Sequence, residues 1–223
     1  TVIIENDGNN TLSNDITPYE GKLSLLTSED IAQRARFAGI CENGTPAFIK
    51  IKRAVNKVSR LIINCAESEP YLCADHRLLL ENPHAVINGA KILLKALGIR
   101  LAEIVTEDNK LDAAKAISAA AGNSEVIKVR VLRSKYPQQD EASIVYALTS
   151  REAKGRSALE MGFAIFSANE CASLFYAFYS GLPVLDRIVT LDGDCLERPK
   201  NLLVNLGTAP ADVVNYCGGL VRV

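Results

Sequence analysis

The chain has 223 residues, enough for one large domain or for one domain with a small appendage. Hydrophobic residues make up 48% and charged residues 23%, which excludes a disordered chain. A net charge of −1 with acids and bases interspersed excludes an electrostatic nucleic-acid binder. No apolar run approaches the ~20 residues of a membrane span, so any membrane contact is expected through a partner and not by direct insertion.

Residues 1–27 are polar and turn-rich after a short strand candidate at Val2-Ile3-Ile4, with a turn at Asn6–Asn10. They read as an extended linker segment. Ser28-Glu29-Asp30 opens a helix through Arg36, with Ser28 as cap and Gly39 as stop. The basic stretch Lys50, Lys52, Arg53, Lys57 and Arg60 reads as a solvated strand-and-turn surface. Leu61–Cys65 is a short continuous apolar run, as expected of a strand buried on both faces. A long helix over Pro83–Leu97 follows, with Asn82 as cap, Pro83 at the first helical position and Gly98 behind it.

Further strands are expected at Ile104–Thr106 and Val126–Leu132, with helices at about 111–121, 141–149 and 169–180. This alternation predicts an α/β fold: a Rossmann-like three-layer α/β/α sandwich with a mostly parallel sheet over 28–185. From about residue 186 the texture changes to short strands, Ile188–Leu191 and Leu202–Val204, between Gly and Pro turns. Ligands of open parallel sheets sit beyond the C-terminal strand ends, so the residues after Cys65 are the first place to look for a site.

Six cysteines (41, 65, 73, 171, 195 and 217) and two histidines fit neither zinc nor cluster-ligand spacing. They read as reduced thiols, and the chain as a soluble, cytoplasmic one. With Thr at position 1 and an end at Val223 after a Gly-Gly turn, it reads as part of a longer protein.

The strongest chemical feature is Asn64-Cys65-Ala66-Glu67-Ser68-Glu69-Pro70-Tyr71, followed by Asp75 and Arg77. An amide and two carboxylates leave a buried strand end together, and such groups need partners. The plainer reading is a solvated turn in which Glu67 and Glu69 pair with Arg77.

This segment resembles the N-x-x-E-x-E-P-Y-x-x-x-D-x-R signature of the C subunit of the Rnf electron-transport complex, and is similar to the N-A-D-E-S-E-P-G stretch of the flavin subunit of respiratory complex I. The likeness continues at Tyr136-Pro137-Gln138-Gln139-Asp140-Glu141, where the family has Y-P-Q-G-D-E. It returns at Gly193-Asp194 and Pro199-Lys200-Asn201, and again from Asn205 to Gly219, which resembles the entry to a β-grasp module. The resemblance implies an FMN- and NADH-handling domain over 28–185 and the start of a β-grasp segment over 186–223. By the same resemblance Asn64 and Glu67 would hydrogen-bond the flavin, Glu69 would sit beside the nicotinamide, and Lys50 would meet the flavin phosphate. Tyr136, Asp140 and Glu141 would close the pocket. Electrons would pass from NADH to a partner reductase or to Rnf-type membrane subunits, at the inner face of the plasma membrane. Iron–sulfur clusters would belong to the rest of the full-length protein.

Three stretches depart from the family pattern. Gly39–Lys50 is shorter than the G-x-G-G-A-G-F-P-T loop, Gln139 replaces a glycine, and Ser167-Ala168 stand where complex I has paired asparagines. Cys41, in the shortened loop, becomes a candidate redox thiol, since the branch associated with D-proline reductase is similar to this chain. A Cys41–Cys73 pair is conceivable, and an ordinary loop residue is the plainer reading of Cys41. The alternative function is a cofactorless docking scaffold.

Overall fold

The computed structural model describes residue 11 and residues 15–221. The expected strand Val2–Ile4 and turn Asn6–Asn10 lie outside them.

A 3-10 turn, Leu23–Leu25, precedes helix α1 (Ser28–Phe37). Its cap is Thr27, one residue before the expected Ser28, because Asp30 answers it in a capping box. Next comes a small antiparallel hairpin, β1 (Cys41–Glu42) and β2 (Thr45–Pro46). Asn43 and Gly44 both take positive φ, 47° and 74°, as a tight two-residue turn demands. Helix α2 (Ala47–Ala54) then buries Ala47, Ile51 and Ala54 along one face. The basic stretch therefore begins on the outer side of an amphipathic helix, which corrects the strand-and-turn expectation: the apolar residues recur at helical spacing between the cations.

Strand β3 (Arg60–Asn64) leads through α3 (Ala74–Glu81) and α4 (Pro83–Leu97) to β4 (Ala102–Glu107). The bounds of α4 are those read from Asn82, Pro83 and Gly98, and Gly98 takes φ 67° as its left-handed cap. Helix α5 (Leu111–Ala121), β5 (Ile127–Leu132), α6 (Glu141–Thr149), β6 (Phe163–Ser167) and α7 (Ala168–Tyr179) complete the layered core. An antiparallel hairpin, β7 (Asp186–Leu191) with β8 (Lys200–Asn205), and helix α8 (Pro210–Tyr216) follow.

The central sheet is wholly parallel, in the order β5-β4-β3-β6. Side chains alternate across it. Leu61, Ile63, Ile104 and Phe166 join the large core under α1, α2, α4, α5 and α7. Ile62, Val105 and Ile165 face Ile144 and Val145 of α6 on the other side. Burial on both faces explains the continuous apolar strands, and the α/β/α layering agrees with the expected fold. Helices α4 and α7 meet closely at Gly89, where an added Cβ would collide with the Cys171 carbonyl.

Candidate functional site at the strand-order reversal

The chain walks outward from β3 to β4 and β5, then returns to β6 on the other side of β3. The winding reverses between β3 and β6, and crevices open at such points beyond the C-terminal strand ends. Here a cleft of about 560 Å3 lies at that position, lined by Asn64 and Ser167 from the two strand ends. Its walls are Glu42 and Asn43 of the β1–β2 hairpin, Glu67 and Asp75 after β3, Gln139–Glu141 before α6, and Arg187 of β7. That size suits a small organic ligand, for which roughly 300–1,000 Å3 is usual.

Asn64 ties the cleft together. Its amide nitrogen donates to the Gln139 carbonyl at 2.9 Å, and its Oδ1 accepts from Ala66 N at 3.0 Å. Ser68 completes the tie: its amide donates to Gln139 Oε1 at 3.1 Å, and its hydroxyl accepts from Gln139 N at 2.8 Å. The Gln139 side chain, where the family has glycine, thus clamps the loop before α6 onto the loop after β3.

Glu67 is buried and fully engaged. Its carboxylate accepts from the Asp75 and His76 amides of the first turn of α3, at 2.7 and 3.2 Å, and from Lys110 Nζ at 2.6 Å. A carboxylate at a helix N-terminus with a buried ammonium beside it is a stable arrangement. The expected Glu67–Arg77 pairing is not formed; Arg77 pairs with Glu81 instead. Glu69 is exposed in the next turn and does not line the cleft.

The remaining predicted residues divide. Asp140 and Glu141 line the cleft. Tyr136 stands outside it at 73% exposure. Lys50 also lies outside, its ammonium 2.7 Å from Glu170 Oε2 and 4.4 Å from the centre of the Phe166 ring. Cys41 is half-buried in the hairpin beside Glu42, with its carbonyl accepting from Arg187 Nη2 at 2.6 Å. Cys73 exchanges hydrogen bonds with Asn201 of β8, and both thiols are free.

Residues the sequence reading passed over are Lys110, Arg187, Glu170 and, as a titrating group, Asp75. Glu170 carried a legible signal, the S-x-x-E capping box Ser167–Glu170. Burial first, then the charges of Glu67 and Glu42, push the Asp75 carboxyl up to about 7, against the pull of Lys110. Burial also raises Glu170, with Lys50 opposing.

The lining is acidic. Glu42 is approached by Arg187 at 3.8 Å and Glu67 by Lys110, while Asp75, Asp140 and Glu141 have no ion-pair partner among the described residues. The cleft is large enough for a planar ring, but Lys50 is already committed to Glu170. Arg187 is the cation that lines the cleft; its Nη1 is buried, has no hydrogen-bond partner among the described residues and lies 3.8 Å from Glu42.

Residues 32–174 match the Nuo51 FMN-binding domain family. The chain is 34% identical, over 98% of its length, to the C subunit of the Na(+)-translocating ferredoxin:NAD(+) oxidoreductase complex of Acetobacterium woodii, and covers 50% of that protein. It is 35% identical, over 98% of its length, to the proton-translocating counterpart of Clostridium ljungdahlii, covering 48%. With the C subunit of the ion-translocating oxidoreductase complex of Vibrio cholerae it shares 34% identity over 86% of its length and covers 25% of that protein. The chain thus spans about half the length, or less, of these relatives. The fold is shared with an NAD+-reducing [NiFe]-hydrogenase solved in the H2-reduced state, at TM-score 0.73 and 17% identity over 90% of this chain and 41% of that one. The chain belongs to the Nuo51 FMN-binding domain family, and over most of its length it is similar to the C subunits of ion-translocating oxidoreductase complexes.

Proposed function

We propose that this chain is the redox-ligand module of an Rnf-C-type electron-transfer protein, moving reducing equivalents from NADH toward a partner reductase or membrane complex. The observation that carries it is the cleft at the strand-order reversal, lined by Asn64, Glu67, Asp140 and Glu141 of the family's own motifs. In this reading Asn64 and Gln139 fix the two cleft loops relative to one another, and Asn64, Asp140 and Glu141 offer hydrogen-bonding edges to a nicotinamide. Asp75, titrating near neutrality, holds or releases a proton at the cleft wall. When bound, a flavin or thiol redox group supplies the electron chemistry, and the chain supplies position and a restricted opening. The segment from residue 186 is the start of a β-grasp-type unit whose Arg187 and Ile188 line the cleft, while Ile16 and Tyr19, ahead of α1, pack on the core.

The module acts at the inner face of the plasma membrane through partners. No helix among the described residues is long and apolar enough to cross a membrane. Absorbance spectra of the purified chain mixed with NADH and an artificial electron acceptor test the reading. NADH consumption that requires the chain is expected; no consumption and no NADH binding, with flavin present or absent, would reject it.

A second reading is supported by one specific observation. Glu67 and Lys50 are both consumed by internal partners, Lys110 and Glu170, as they would be in a cofactorless docking domain. NADH affinity distinguishes the two.

A further inference from the structure

Strand β6 runs directly into α7, and Ser167 caps that helix. The Ser167 hydroxyl accepts from Glu170 N at 3.0 Å, and the Glu170 carboxylate reaches back to accept from Ser167 N at 2.8 Å. The same carboxylate oxygen accepts from Lys50 Nζ at 2.7 Å. The Glu170 side chain has no solvent exposure, and its other oxygen, Oε1, has no hydrogen-bond partner among the described residues.

A helix N-terminus at the end of a parallel strand, with a lysine beside it, is the arrangement that holds phosphate groups in α/β folds. In this chain the anion at that position is Glu170. Position relative to the cleft matters too. Ser167 and Asn169 line the cleft, and Glu141 borders both it and the neighbouring pocket of about 240 Å3 that contains Lys50 and Arg53. Glu170 itself lies behind both, with its carboxylate at the helix N-terminus between Ser167 and Lys50. The other cation at the cleft, Arg187, faces the Glu42 carboxylate at 3.8 Å, although its Nη1 makes no hydrogen bond among the described residues. The first amide of α2, Ala47 N, is spent on the Ile40 carbonyl at 2.9 Å.

We propose that Glu170 is a built-in substitute for a ligand phosphate, and that the cleft accepts a planar flavin ring whose tail ends in an uncharged hydroxyl, as in riboflavin, in preference to FMN. The proposal rests on the redox-cleft reading above. It explains why Lys50 remains without serving the cleft: the lysine neutralises the internal anion.

Riboflavin and FMN share one fluorescent ring and differ by the phosphate, so titrating the chain with each isolates the point at issue. The expected result is riboflavin binding at least about tenfold tighter than FMN, about one charge–charge interaction in affinity. Glu170→Gln keeps an amide able to complete the Ser167 cap and frees Lys50. It is expected to tighten FMN about tenfold and leave riboflavin unchanged, with a thermal melt confirming that the variant folds. The wild-type ratio tests the proposal without any variant. FMN binding as tightly as riboflavin, or binding of neither ring, would overturn it. An NADH titration on the same preparation separates the failures: NADH binding without flavin discrimination removes only the Glu170 proposal, and loss of both removes the redox-cleft reading as well.

Discussion

Asn64 and Ser167 are register partners at the C-terminal ends of adjacent parallel strands, β3 and β6. The winding reverses between them, so the polypeptide leaving each strand end borders the same opening. Asn64 spends both ends of its amide on loop backbone, and Ser167 spends its hydroxyl on the cap of α7. The pair builds the mouth of the cleft before any ligand is considered.

The floor of that cleft is expected to depend on Glu67. Its carboxylate satisfies two amides of α3 and the buried ammonium of Lys110. Glu67→Ala leaves both amides unpaired and Lys110 with only the Glu107 carboxylate at 4.0 Å, which costs roughly 3 kcal/mol. Urea denaturation at neutral pH checks it. A loss under about 1 kcal/mol would mean that Glu67 is held for a ligand and contributes little to the fold.

Asp75 gives stability a pH dependence of definite sign. Its folded pKa, about 7, lies above its ordinary value of 3.8, so the folded state holds the proton more tightly. The stabilisation is complete below the ordinary value and is lost as pH rises through about 7. Because Asp75 is partly exposed, the loss between pH 4 and pH 8 is set at about 2 kcal/mol, below the full linkage value. Asp75→Asn should flatten that component, and denaturation midpoints of wild type and variant across this range measure the difference.

Thiol chemistry should follow burial. Cys195 is exposed, Cys41 and Cys73 are intermediate, and Cys65, Cys171 and Cys217 are buried. Burial pushes the thiols of Cys65 and Cys171 well above the ordinary range, with nearby carboxylates adding to it. Timed alkylation with mass mapping is expected to label Cys195 first, Cys41 and Cys73 next, and the buried thiols only on unfolding. Labelling of Cys41 ahead of Cys195 would mark it as an activated nucleophile and favour the thiol version of the redox site.

The α4–α7 contact should tolerate no side chain at position 89. A Cβ there would collide with the Cys171 carbonyl oxygen and lie 2.7 Å from its Cα, both backbone atoms that cannot swing away. Gly89→Ala is expected to cost about 3 kcal/mol or to push the helices apart, a shift detectable by thermal melting. Because α7 carries Glu170 in its first turn and Ser167 as its cap, the same substitution should weaken ligand binding at the cleft.

Much of this architecture was legible in the residues. Pro83 and Gly98 bounded α4 because helix-end signals are local, although Asn82 at the N-cap position makes no side-chain cap hydrogen bond, and Leu61-Ile62-Ile63 announced a doubly covered strand. Strand β6 was not anticipated, since Phe163–Ser167 is a short run that only its place beside β3 fixes as a strand. Helix α2 was obscured by its cations. Within the site, Asn64, Glu67, Asp140 and Glu141 were found by motif. The partners that decide their state, Lys110 at 43 positions from Glu67 and Gln139 at 75 from Asn64, are brought together only by the fold.

Nicotinamide fluorescence, followed while NADH is titrated into the wild-type chain and into a folded Ala66→Trp variant, tests the central claim most directly. Ala66 lines the cleft and is nearly buried, so an indole there fills the opening. The account predicts saturable binding at micromolar concentrations, on the order of −8 kcal/mol, by the wild type, and its loss in the variant. Absence of binding to the wild type, or equal binding by both, would contradict it.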